Sequence, residues 1–290
     1  MSSHDLPSVP SPLSVRDAPL TGLIRLLHDT LDIDVSAYDE TFLSKSLATH
    51  MRASGIDCIA AYGEYLIGHR AAAMALQASL QFSHSEFFRD PLTYAMLEQR
   101  ILPHLLATKA ATGHSEIRIW SAACAAGQEA WSVAILLDGL TKAGTPAPAY
   151  RIFASDIAEP ELTHARAGVY SAKAVGNVRL RHLSECFIQQ GEAYAIGSRL
   201  RSRVDFSTYD LLDAESSSPE ASIYGDFDLI LCCNLLIYYR PAIQQQILNK
   251  LCRDLIPGGY LITGEAERDT VAKHPWLRPV AATTGIFQKT

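Results

Sequence analysis

From residue 117 to residue 265 the chain alternates short, almost wholly apolar runs with segments of helical spacing, and this alternation narrows the possible folds more than any other feature. The runs are IRIWSAA (117–123), YRIFASD (150–156), VDFSTYDLL (204–212), FDLILCCNLLIYY (227–239) and GYLITGE (259–265), with predicted helices over 128–142, 160–169 and 241–255. A strand with one wet face alternates apolar and polar residues, whereas a continuous apolar run is buried on both faces. Strands of that kind separated by helices build a mostly parallel sheet with helices on both sides. The expectation is an α/β chain with a doubly wound sheet.

Ahead of this region the pattern is different. Residues 1–19 are rich in Ser and Pro and poor in large apolar groups, so burial cannot offset the entropy of ordering them, and they read as a flexible tail. Leu20, Leu23, Ile24, Leu27 and Leu31, then Phe42, Leu43, Leu47 and Met51, fall at helical spacing, and the stretch from Cys58 to Leu80 extends the pattern. Residues 20–85 are therefore expected to form a small all-helical domain, and 86–290 a larger domain that begins with a helix over 91–106. Residues near 187–203 break the strand–helix alternation and read as a small β insertion.

Charge and cysteine usage exclude several functions. A net charge of -6 offers nothing to attract a polyphosphate backbone, so no nucleic-acid partner is expected. The six cysteines show no C-x-x-C pair or disulfide framework, and with no signal-peptide pattern or apolar run of about 20 residues the expected location is the cytoplasm, without membrane insertion. The ten histidines form no H-x-x-x-H or H-E-x-x-H cluster, so no metal is expected.

In a doubly wound sheet, ligands bind outside the carboxyl ends of the strands. The first such end, SAACAAGQE (121–129), is a turn of small residues opening a helix, suited to close backbone approach and to an anionic group at a helix N-terminus, but equally to tight strand–helix packing. It lacks G-x-G-x-x-G, which argues against a nicotinamide dehydrogenase. Asp156 closes the next run, either as an acceptor for ribose hydroxyls or as a helix cap ahead of Pro160. Asn234 sits inside an apolar run and needs partners, either as a strand-end cap or as a cofactor ligand.

Several blocks together resemble the CheR-type chemotaxis protein methyltransferases. The family's F-F-R-[ED] stands here as Phe87, Phe88, Arg89 and Asp90; its W-S-A loop as WSAACAAGQEAWS (120–132); its F-A-S-D-I as FASDIA (153–158); its A-R-x-G-x-Y as ARAGVY (165–170); and its F-D-x-I-x-C-R-N block as FDLILCCNLLIYY (227–239). The resemblance runs from about Leu20 almost to the C-terminus. It implies a Rossmann-like methyltransferase sheet, S-adenosyl-L-methionine as cofactor, and methyl transfer to glutamate carboxylates of a chemoreceptor or related signalling protein by a monomeric enzyme. It further implies that Ser83, Ser85, Arg89, Glu129, Asp156, Asp210, Leu211, Cys233 and Asn234 line the cofactor site. Arg89 and Tyr238 would act on the reacting groups, Arg89 by orienting the substrate carboxylate and Tyr238 beside the methyl.

The chain departs from the pattern at identifiable places. Gln128 replaces a usual acidic residue, Cys233 stands where Arg is usual, and Ser83 and Ser85 stand where Asn and Thr are common. Residues 1–80 carry five Lys and Arg against nine Asp and Glu, with Lys45, Thr49 and Arg52 alone forming a short basic stripe at helical spacing. Two other readings follow from these departures: a non-catalytic S-adenosylmethionine-binding regulator, or a small-molecule methyltransferase.

Overall fold

The computed structural model describes residues 14–80, 84–113, 116–141, 148–216, 218–219, 222 and 225–290. Its contacts divide the chain into two units, one of Met1–Gln81 with Tyr238–Arg240 and one of Phe82–Ile237 with Pro241–Thr290.

The first unit is helical, with helices Ser14–Leu31, Glu40–Ser54, Ile59–Gly68 and Arg70–Leu80. The apolar stripe predicted for them is its core: Leu23, Leu27, Leu43, Leu47, Leu66 and Leu76 are buried together. Asp39 caps the second helix, its Oδ1 accepting from the N–H groups of Thr41 (2.9 Å) and Phe42 (3.1 Å). The tail expected over 1–19 lies outside the described residues as far as residue 13. The backbone of 14–19 is helical, so the first helix begins six residues before the expected boundary. Scarce apolar residues argue against burial, but helix propagation needs only local hydrogen bonds.

Among its described residues the second unit holds ten strands: β1 (Glu116–Ala122), β2 (Ala149–Asp156), β3 (Val169–Ser171), β4 (Phe187–Gln190), β5 (Ala193–Ile196), β6 (Val204–Thr208), β7 (Phe227–Cys232), β8 (Leu255–Thr263), β9 (Leu277–Pro279) and β10 (Ile286–Lys289). Seven of them form one sheet in the order β6-β2-β1-β7-β8-β10-β9. The five strands from β6 to β8 are parallel, and β10 runs antiparallel to both β8 and β9. Successive strands leave β1 first toward β2 and β6, then toward β7 and β8. The order therefore reverses between β1 and β7, which places the ligand crevice at their carboxyl ends. The apolar runs behave as expected, with every residue of β7 buried.

Several boundaries differ from the sequence reading: the helix expected over 91–106 passes through a π-helical turn at Leu97–Ile101 and runs on to Thr112, and the strand expected over 259–265 runs from Leu255 to Thr263. The run 204–212 is a strand only to Thr208, because Asp210 turns the chain by accepting the Leu212 N–H at 2.8 Å. The run 227–239 is a strand only to Cys232, because Asn234 adopts a left-handed backbone, φ +59°. The helix expected over 160–169 ends at Ala167, and Val169 instead opens β3. The small insertion is accordingly a three-stranded sheet, β3-β5-β4, that draws its first strand from outside 187–203. Strands β9 and β10 were not anticipated; at three and four residues they are too short for a periodic signal.

Candidate functional site

The loop after β1 is shaped by its smallest residues. Ala123 and Ala125 sit at positive φ (+58° and +46°), and Gly127 is at φ +85° with Ala165 and Phe206 so close that a Cβ on it would lie 2.8 Å from the Ala165 Cβ. Only glycine fits there without strain. The loop delivers the chain to the N-terminus of helix Gln128–Thr141. Gln128 is 8% exposed, and its side-chain Oε1 has no hydrogen-bond partner among the described residues, leaving a buried acceptor at that helix start.

Two carboxylates flank this loop. Asp156, at the end of β2, is 8% exposed; its Oδ2 accepts from the Ala125 N–H at 2.8 Å and its Oδ1 from the Ala158 N–H at 2.9 Å. The cap position of helix Glu159–Ala167 belongs to Ala158 and carries no side-chain hydrogen bond, so Asp156 is not the helix cap. Burial pushes its carboxyl above the usual range, and the N–H groups of Ala158, Ala125 and Ile157 oppose that rise. Glu129, on the first turn of the helix, accepts from the Ser121 hydroxyl at 2.7 Å. Burial, reinforced by the charge of Glu267, raises its carboxyl to about 7, against the opposing hydrogen bond of Ser121, the nearby Cys233 thiol and the charge of Arg89.

Arg89 reaches this neighbourhood from the turn Phe87–Asp90. Phe87 is fully buried, edge-on to Tyr170 and Phe187; Phe88, at φ +50°, donates its N–H to Ser132 Oγ at 3.1 Å; and Asp90 caps helix Pro91–Met96 through Thr93. These contacts tie the turn to helix Gln128–Thr141 and leave the Arg89 side chain exposed, with Nη1 donating to the His84 carbonyl at 3.2 Å. Ser85 is half-buried at the approach to this turn, and Ser83 lies outside the described residues.

The remaining residues named from the resemblance occupy neighbouring strand ends. Asp210 is exposed and Leu211 buried just past β6, whose Thr208 pairs with Asp156, and the Tyr209 N–H donates to the Asp156 carbonyl at 3.0 Å. Cys233 follows β7 with its thiol donating to the Ile262 carbonyl at 3.8 Å, and burial, with the charge of Glu129 after it, holds that thiol protonated. Asn234 is next, its N–H donated to Glu267 Oε2 at 2.8 Å. Tyr238 belongs to the segment that groups with the helical unit: its ring lies 5.1 Å from that of Phe42, and its carbonyl accepts the Asp39 N–H at 2.8 Å.

Sequence reasoning overlooked three contributors. Ser121 holds Glu129, Tyr170 donates its hydroxyl to the Ala126 carbonyl at 2.7 Å and so props the loop, and Glu267 receives the backbone of the β7 end. Ser121 and Tyr170 stand inside quoted motif blocks and were legible there as loop supports. Glu267 had no signal beyond being an acid after the last long strand.

The donor set fits S-adenosylmethionine. Its ribose hydroxyls need acceptors such as Asp156 and Asp210, its cationic groups need carboxylates such as Glu129, and the orphaned Gln128 acceptor and close-packed Gly127 loop provide a polar cradle at the strand-order reversal. Residues 83–286 match the family model described as CheR methyltransferase, SAM binding domain. A chemotaxis protein methyltransferase 1 of Pseudomonas aeruginosa is 31% identical over 246 residues, 83% of this chain and 86% of that protein. A chemotaxis protein methyltransferase of Salmonella typhimurium is 28% identical over 88% of this chain and 85% of its own length. An uncharacterized 104.1 kDa protein of Rhodobacter capsulatus is 28% identical over 84% of this chain, which spans 25% of that longer protein. The chain belongs to the CheR family of S-adenosylmethionine-dependent chemotaxis protein methyltransferases.

Proposed function

We propose that the site at the carboxyl ends of β1, β2, β6 and β7 esterifies glutamate side chains of a chemoreceptor or related signalling protein. The observation that carries this reading is the convergence of Glu129, Asp156 and the Gly127 loop at the strand-order reversal, with the charge of Arg89 beside them. S-adenosylmethionine, when bound, supplies an electrophilic methyl group, which a carboxylate oxygen takes by in-line displacement while the sulfur keeps the electron pair.

The protein's share of this chemistry is positioning. A glutamate nucleophile, with an ordinary pKa of ~4.3, is already ionised at neutral pH, so no general base is needed. Arg89, exposed and adjacent to the carboxylate cluster, orients the incoming carboxylate through charge-assisted hydrogen bonds. Its grip must stay moderate, because the nucleophile loses charge during transfer and a tighter ground-state ion pair would slow the step. Tyr238 is proposed to border the reacting methyl, and Ser83, Ser85, Asp210, Leu211, Cys233 and Asn234 to complete the cofactor site.

All six cysteines are free, and among the described residues no helix is long and apolar enough to cross a membrane. The proposed action is from the cytoplasm, as a monomer, on the cytoplasmic part of a receptor. The test is transfer of labelled methyl from S-adenosylmethionine to membrane and cytosolic protein fractions, followed by mild base. Carboxyl methyl esters release volatile methanol. Base-resistant label would overturn the carboxylate assignment, and label confined to small molecules would overturn the protein substrate.

A further inference from the structure

The carboxyl ends of β7 and β8 meet on one buried carboxylate. Glu267 is 1% exposed, yet both of its oxygens are engaged. Oε2 accepts from the N–H groups of Asn234 and Gly264, both at 2.8 Å, and from the Thr263 hydroxyl at 2.7 Å; Oε1 accepts from the Leu236 N–H at 2.6 Å. A carboxylate withdrawn from water is costly unless donors replace its hydration, and here four do. Two of them, Asn234 and Leu236, belong to the irregular stretch after β7, whose N–H groups have left the sheet and need acceptors. The two loops also interlock sterically: a Cβ on Gly264 would lie 2.5 Å from Asn234 Nδ2, so only glycine lets the β8 end approach the left-handed Asn234.

We propose that Glu267 is a positioning residue of the cofactor site, its carboxylate fixing the Cys233–Leu236 backbone that presents Cys233 and Asn234, and its buried negative charge acting on Glu129. The inference rests on the reading of Glu129, Cys233 and Asn234 as the groups that hold S-adenosylmethionine. The link to Glu129 runs through this stretch: the Cys233 thiol, held on it, donates to the Ile262 carbonyl at 3.8 Å and lies within electrostatic reach of Glu129, and the Glu267 charge is one of the causes, after burial, of the raised Glu129 carboxyl. The other groups that face Glu129 are Ser121 on β1, Cys124 in the following loop, Arg89 and Tyr94 on the Phe87–Met96 segment, and Cys232 at the end of β7. Of these, Arg89 alone carries a charge at neutral pH, and it opposes Glu267. A ligand with a net positive charge binds ionised Glu129 better, so affinity should climb as pH rises through the Glu129 transition. Removing the Glu267 charge should move that transition to lower pH.

The experiment is calorimetric titration of the full-length protein with S-adenosylmethionine from pH 5.5 to 8.5, for the wild type, Glu267→Gln and Thr263→Val. In Glu267→Gln the amide keeps one acceptor and turns a donor toward N–H groups that need acceptors. The expected result is at least tenfold weaker binding at pH 8 together with a midpoint displaced to lower pH. Thr263→Val keeps the charge and removes one of the four donors, so binding should weaken severalfold with the midpoint in place; it also serves as the test if Glu267→Gln does not fold. Affinity within twofold of wild type in these variants, or weaker binding of Glu267→Gln with an unmoved midpoint, overturns the inference. Absence of binding to the wild-type protein would instead overturn the cofactor reading on which it rests.

Discussion

Replacing Asp156 by Asn separates its two tasks, because the substitution keeps size and shape while exchanging one acceptor oxygen for a donor. In the native protein each carboxylate oxygen holds one loop N–H, Ala125 on one side and Ala158 on the other, at 2.8 and 2.9 Å. An amide can satisfy only one of them. Whichever way it turns, the other N–H loses a charged acceptor and meets an N–H₂ group, and an orphaned buried donor costs about 1–3 kcal/mol. Part of this is returned, since burial has raised the carboxyl and an amide escapes that desolvation cost, so the net loss should sit near ~1–2 kcal/mol. For a unit of this size that is a fall in Tm of roughly 2–8 °C. Cofactor affinity should fall further than stability, because the same change tilts the Ala125–Gly127 loop and halves the acceptors open to ribose hydroxyls. A loss of about 1.4–3 kcal/mol corresponds to roughly 10- to 150-fold in Kd. Differential scanning calorimetry with S-adenosylmethionine titration measures both. Affinity within twofold of wild type, in a variant with the expected Tm loss, would show that Asp156 only staples the loop and would refute its role toward the ligand.

Other perturbations isolate neighbouring parts of the site. Arg89→Ala should lower turnover at saturating substrates with Tm nearly unchanged, since an exposed side chain contributes within about 0.5 kcal/mol to stability; an unchanged rate would return Arg89 to an ordinary surface residue. Gly127→Ala should cost ~1–2 kcal/mol for the positive φ and about 1–3 more for the contact with Ala165 and Phe206, and a native Tm would show that the loop relaxes freely. Glu129→Gln should raise the stability of the ligand-free protein more at pH 8 than at pH 4. The folded carboxyl, at about 7, lies above its unfolded value of 4.5, so its contribution is present below 4.5 and is lost as pH rises through about 7. Parallel Tm profiles of wild type and variant across that window would contradict the sign.

The sequence by itself determined the class of fold and most of the strand-end chemistry, because both are written in local patterns. Apolar runs such as FDLILCC belong in a doubly covered sheet, and the motif blocks bring Asp156, Cys233 and Asn234 to the carboxyl ends of its strands, Glu129 to the helix that follows the first of them, and Arg89 to the turn ahead of helix Pro91–Met96. What the tertiary structure alone decided are the relations between segments distant in the chain. The exit of β7 is bent at Asn234 by an acid 33 residues further on, an interaction to which no periodicity in either segment points. The small sheet takes into β3 Val169, which reads as the last residue of a helix, since antiparallel pairing with β5 outweighs its local preference. Asp156 could be read from sequence as a cap or as a ribose acceptor; its bonds to Ala125 and Ala158 exist only once the β1 loop is folded against the end of β2. The raised carboxyl of Glu129 is likewise a product of burial and of the charge of Glu267, and burial is a property of the assembled chain rather than of any stretch of it.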